Sequence, residues 1–126
     1  MADNKEFIFR SLRALEKHGK IQEIHWLTES YFCKTVLGCS LQDEIGLVRP
    51  VLILEIPAID KDFIRKDHNE YARYYTDSII LDGKPFLVSN YWTDKGREVF
   101  LHWLKTVLEN DFEELPEIEE TIRGEK

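Results

Sequence analysis

The stretch Ser78-Ile79-Ile80-Leu81-Asp82-Gly83-Lys84-Pro85-Phe86-Leu87-Val88-Ser89 decides the fold class. Asp-Gly between two apolar runs readily takes the positive φ angles of a type I′ turn, whose twist matches that of paired antiparallel strands. The segment is predicted to be a β-hairpin. Pro85 has no backbone N–H to give to a ladder, so it is expected at an edge or an outward-facing position.

Upstream, Leu47 to Ile56 contains Val51-Leu52-Ile53-Leu54 between Pro50 and Pro57. A continuous apolar run bounded by prolines predicts a strand covered on both faces, the central one of the sheet. Cys39 to Gly46 reads as a connecting loop. Ala58 to Thr76 carries Phe63, Ile64, Tyr71, Tyr74 and Tyr75 at a spacing compatible with a helix begun by Asp60.

Downstream, Thr93 or Asp94 caps a helix predicted over Asp94 to Glu109. Its Val99, Phe100, Trp103, Leu104, Val107 and Leu108 form a broad apolar face suited to covering a sheet. At the other end, Asp3 and Glu6 have capping-box spacing, and Ile8, Leu12 and Leu15 recur until Gly19, which predicts a helix over Asn4 to His18. Lys20 to Leu37 is ambiguous. Ile21, Ile24, Trp26 and Leu27 suit a short helix or a strand, while the aromatic and β-branched Tyr31 to Leu37 favours a strand ended by Gly38 over a helix starting after Thr28.

These elements define an α+β fold, a single domain with a mostly antiparallel sheet and the N-terminal and C-terminal helices packed on it. Residues 1–112 form the expected globular domain. Residues 113–126 read as an acidic tail or a short helix with Pro116 in its first turn.

The chain of 126 residues has a formal net charge of -7. Residues 109–126 hold 8 acidic and 2 basic side chains, so the charge belongs mostly to the C-terminal segment and the body is nearly neutral. An acidic balance disfavours general nucleic-acid binding, which needs Lys and Arg to displace counterions from phosphate. No window approaches the roughly 18 apolar residues of a membrane span, and no secretory signal opens the sequence. A cytosolic protein without membrane association is the simplest expectation. Cys33 and Cys39 fit neither a redox pair nor a zinc half-site, and Cys33 reads as a small buried hydrophobe.

Phosphate-cradle, nucleophile-elbow and helical zinc motifs do not occur in the sequence. Asp60, Asp62, Asp67, His68 and Glu70 offer oxygen and imidazole groups, but Arg65 stands where a calcium loop needs Gly and Tyr71 where it needs Glu. Lys61, Arg65 and Lys66 neutralise the cluster, so a solvated helix face is the preferred reading and no metal or other cofactor is expected. His18, His25, His68 and His102 lie on separate segments, and any of them beside Glu23 or Glu55 supplies the minimum for acid-base work in a cleft.

Two further sets are candidates for interaction. Arg65, Tyr71, Arg73, Tyr74 and Tyr75 combine basic and aromatic groups, as a weak nucleic-acid platform does, but tyrosines packed on the sheet with their hydroxyls at the rim are the preferred reading. Leu115, Ile118 and Ile122 recur at helical spacing and can dock in a hydrophobic groove while Glu117, Glu119 and Glu120 face cations. The expected function is a small non-enzymatic interaction or regulatory protein, working through its sheet edge, aromatic rim or acidic tail on a protein partner, a basic one if the tail is used. The alternatives are a small metal-dependent or acid-base enzyme and the nucleic-acid module. The sequence leaves the oligomeric state open.

Overall fold

The computed structural model describes residues 3–36, 50–55 and 73–123. Three helices come first: α1 (Asn4–Lys17), α2 (Ile21–Trp26) and α3 (Ser30–Val36). Strands β1 (Leu52–Leu54), β2 (Tyr74–Leu81) and β3 (Lys84–Ser89) follow, then α4 (Asp94–Leu108) and α5 (Leu115–Arg123). The strands form one antiparallel sheet in the order β1-β3-β2. The result is a single small α+β domain with helices flanking the sheet.

Local chemistry sets the ends of the strong helices. Asp3 accepts the Glu6 N–H through its side chain at 3.0 Å, and Thr93 does the same for Gly96 at 3.0 Å, so each helix start satisfies one otherwise orphaned donor. Helix α1 stops at His18, beyond which Gly19 takes φ +74°. Buried Arg97 ties the two helix starts together, donating through Nη1 to Asn4 Oδ1 at 2.7 Å and pairing with Asp94.

One face of the sheet, carrying Ile79, Leu81, Phe86 and Val88, meets Phe7, Ile8, Leu12 and Leu15 of α1 and Phe100, Trp103 and Leu104 of α4 in a common core. Phe7, Trp92 and Phe100 meet edge to face at centroid distances of 5.4–6.0 Å. Leu87 and Ser89 alternate with Phe86 and Val88 along β3 and are buried as well, so the opposite face is covered at the middle strand, though not at Ser78 and Ile80 of β2.

Several expectations change. Tyr31 to Leu37 was expected as a strand, but Ser30–Val36 is helical, the competing assignment. A helix puts Phe32 against Trp26 and Trp103 and buries Cys33, while Tyr31 and Lys34 face solvent, so packing overrides β-propensity. The helix expected over Ala58 to Thr76 does not extend to Tyr74, Tyr75 and Thr76, which lie in β2; the rest of that expectation, positions 58–72, lies outside the described residues. The Val51 to Leu54 run does not form the central strand of this sheet, a place taken by β3. Nor is the run covered on both faces throughout: Val51 and Leu52 are buried, where the Leu52 N–H donates to the Leu27 carbonyl at 3.0 Å and Cys33 Sγ accepts from Val51 N–H at 3.5 Å, but Leu54 is 40% exposed.

Pro85 sits in the central strand and not at an edge, but at an outward-facing position opposite the exposed Ile80, the second of its two expected places. Its carbonyl accepts from Glu55 N–H at 3.0 Å, and its missing donor ends the β1–β3 ladder there.

Candidate partner-binding surface

The hairpin is built by its turn. Asp82 and Gly83 have φ of 52° and 77°, the paired positive values of a type I′ turn, and Leu81 pairs with Lys84. A two-residue turn makes Leu81 and Lys84 a hydrogen-bonded couple. Alternation then makes Ile79–Phe86 the next such couple, and leaves the N–H and C=O groups of Ser78 and Ile80 pointing away from β3. Since β2 is the outer strand among the described residues, these groups form an open edge.

Helix α1 closes both ends of that edge. Beyond Ile80, the Asp82 N–H is taken by Glu16 Oε2 at 2.8 Å. Before Ser78, Asp77 is paired with Lys5, whose ammonium also lies over the Phe9 and Tyr75 rings at 5.7 and 5.9 Å. The hydrogen bond from Lys5 holds the Asp77 carboxyl below its ordinary range. A register shift between Tyr74 and Ser78 bends the strand away. The unprotected part is short and carries Ile80, a large apolar side chain that is 54% exposed.

On the core side of the same hairpin lies a cleft of about 240 Å³ against α2. Ile24, Leu81 and Phe86 supply its apolar floor, with His25, Asp82 and Lys84 among its lining residues. This volume is below the roughly 300–1,000 Å³ usual for small-molecule sites and suits a single side chain.

The sequence candidates are dispersed. Arg73 stacks on Tyr91 at 4.9 Å. Tyr74 is buried and donates its hydroxyl to the Pro50 carbonyl at 2.7 Å. Tyr75 is half-buried edge-on to Phe9, and burial, with Asp3 nearby, pushes its phenol up to about 12. These three side chains form no common stacking face. Arg65 and Tyr71 lie outside the described residues, as do His68 and the Asp60 to Glu70 cluster. Among the described residues, no group of three His, Cys, Asp or Glu side chains is arranged to hold a metal ion.

Leu115 and Ile118 are buried in the core and Ile122 packs against it. The acidic segment meets its cations within the chain. Arg10 pairs with Glu117 at 3.5 Å, Lys17 with Glu114 at 3.0 Å, and His18 with Glu114 at 2.9 Å. Burial opposes ionisation of Glu114, but the hydrogen bond with His18 and the ion pair with Lys17 outweigh it and hold the carboxyl below its ordinary range. His18 is thus the imidazole found beside a carboxylate, at a helix junction. His25 shares the cleft with Asp82.

Ser78 and Ile80 were missed by sequence reasoning. The turn fixes which residues point outward, but only the strand order shows that outward means unpaired.

Fold and surface together define a small α+β domain whose β2 edge is not paired by any other strand among the described residues. Comparison with protein-family models, curated proteins and solved structures finds no match. Among the described residues no helix is long and apolar enough to cross a membrane.

Proposed function

We propose that this domain is a protein-interaction module that receives an extended segment of a partner protein along β2. The observation that carries the reading is the pair of outward-facing backbone positions, Ser78 and Ile80, beside the 54% exposed Ile80 side chain. A strand of a partner matches this alternation of donors and acceptors, since each of its own outward residues offers both groups at the same spacing. Ile80 supplies an apolar contact on the outer face, and the nearby cleft supplies a pocket for one further side chain. Burial of the Ile80 side chain contributes to the driving force, while hydrogen bonds to the partner strand replace those the backbone groups made to water at a small net gain.

The test places a photo-crosslinking residue at Ile80 in the full chain and, as a control, at Lys95, exposed on α4. Crosslinks to a defined protein from position 80 and not from 95 are expected. Ser78→Pro, which removes one outward donor, is expected to weaken that partner's binding by about fivefold, one hydrogen bond's worth. Equal crosslinking from both positions, or unchanged affinity in the folded Ser78→Pro chain, removes the edge from the mechanism.

A further inference from the structure

Helix α5 reaches its seat through a connection that holds an unusual backbone. Glu109, which ends α4, has φ 75° and ψ 161°. Glycine adopts this region freely, whereas a residue with a Cβ is strained there. The strain persists only because α4 on one side and the docked α5 on the other fix the ends of the connection.

The seat itself is specific. Leu115 and Ile118 enter the core, Arg10 and Lys17 of α1 meet Glu117 and Glu114, and the Asp3 N–H donates to the Thr121 carbonyl at 2.9 Å. What this groove accepts is an acidic amphipathic helix whose carboxylates match the α1 cations. A second copy of the chain carries that helix. From these two observations we infer that α5 exchanges between two copies, each α5 seating on the α1 of the other.

With buried Phe112, and with Glu114, travelling with α5, the closed monomer and the exchanged dimer share every contact except those of the exposed hinge 109–111. Their balance is therefore set by the cost of association against the strain released at Glu109, which counts twice per dimer. Extended, the three exposed residues 109–111 span roughly 10 Å, the reach available to carry Phe112 and α5 onto an adjacent molecule. Leaving the seat exposes Leu115 and Ile118, so exchange between folded molecules is slow, and refolding at high protein concentration is the route to the dimer. This inference is independent of the β2 reading, because it involves other α1 residues, Arg10 and Lys17 instead of Lys5 and Glu16, and a different partner.

The experiment refolds the full chain at micromolar and at millimolar concentration and separates the species by size-exclusion chromatography with native mass spectrometry. A dimer is expected only from the concentrated sample. Glu109→Gly, which removes the strain from the monomer, is expected to lower the dimer association constant by at least about tenfold. A complementary pair provides the second readout. Arg10→Glu with Lys17→Glu in one chain, and Glu114→Lys with Glu117→Arg in another, each place like charges in the closed monomer. An exchanged heterodimer restores opposite charges at both seats, so co-refolding is expected to yield heterodimer in excess of either homodimer. Absence of any wild-type dimer at millimolar concentration overturns the inference. So does a dimer that is insensitive to Glu109→Gly and shows no heterodimer preference.

Discussion

The backbone N–H of Asp3 donates to the carbonyl of Thr121 at 2.9 Å, joining the residue that caps the first helix to the last turns of the last one. The C-terminal segment is therefore built into the fold at both its apolar and its polar contacts. Its acidity does not mark it as a separable tail, because the basic stripe of α1 already answers those charges.

Ile118 tests that relationship most directly, since it is fully buried under α1. Ile118→Ala is expected to destabilise the domain by about 2–5 kcal/mol, the range for truncating a buried aliphatic side chain. Urea denaturation of the full chain measures it. A loss below about 1 kcal/mol, the scale of ordinary surface changes, indicates that α5 is not part of the cooperative unit.

Gly83 has φ +77°, and a Cβ placed there meets open space, so the cost of substitution is conformational and not steric crowding by neighbours. Gly83→Ala is expected to cost about 1 kcal/mol. Thermal unfolding checks it, and unchanged stability contradicts the turn geometry from which the outward positions of Ser78 and Ile80 follow.

The Glu114 carboxyl is held below its ordinary range by His18 and Lys17. Its folded-state pKa is below its unfolded one, so its stabilisation is complete above the ordinary carboxylate range and is lost as pH falls through the lowered folded value. Wild type is expected to exceed Glu114→Gln in stability at pH 7, with the difference shrinking below about pH 4.3. Denaturation midpoints of both chains across that range give the comparison. A constant difference removes Glu114 ionisation from the stability of the α1–α5 junction.

Cys33 is fully buried, and burial pushes its thiol up to about 11. In a Cys39→Ser background the native chain is expected to react with a disulfide reagent at pH 8 only as fast as it opens, with reaction completed on adding denaturant. Immediate labelling of the folded chain contradicts the packing of α3 against β1.

How far the sequence could be read differs by element. The Asp3 cap, the Ile8, Leu12 and Leu15 spacing and the Asp82-Gly83 turn are local devices, and each worked as expected because its geometry is enforced within a few residues. The α3 segment was harder: Tyr31 to Leu37 has β-branched and aromatic character, yet Phe32 and Cys33 bury together only from a helix. The Arg73, Tyr74 and Tyr75 candidates failed to converge because a strand sends successive side chains to opposite faces.

The sequence by itself determined the hairpin, the two capped helices, the broad apolar faces that require an α+β packing, and the concentration of negative charge at residues 109–126. Those follow from dihedral preference, periodicity and counting. Only the tertiary structure decided that β3 is the middle strand, that Ser78 and Ile80 face outward from the outer strand among the described residues, and that α1 is the basic partner of the acidic helix. Each of these depends on which segments distant in sequence become neighbours, and burial and charge pairing select that arrangement from many the local code allows.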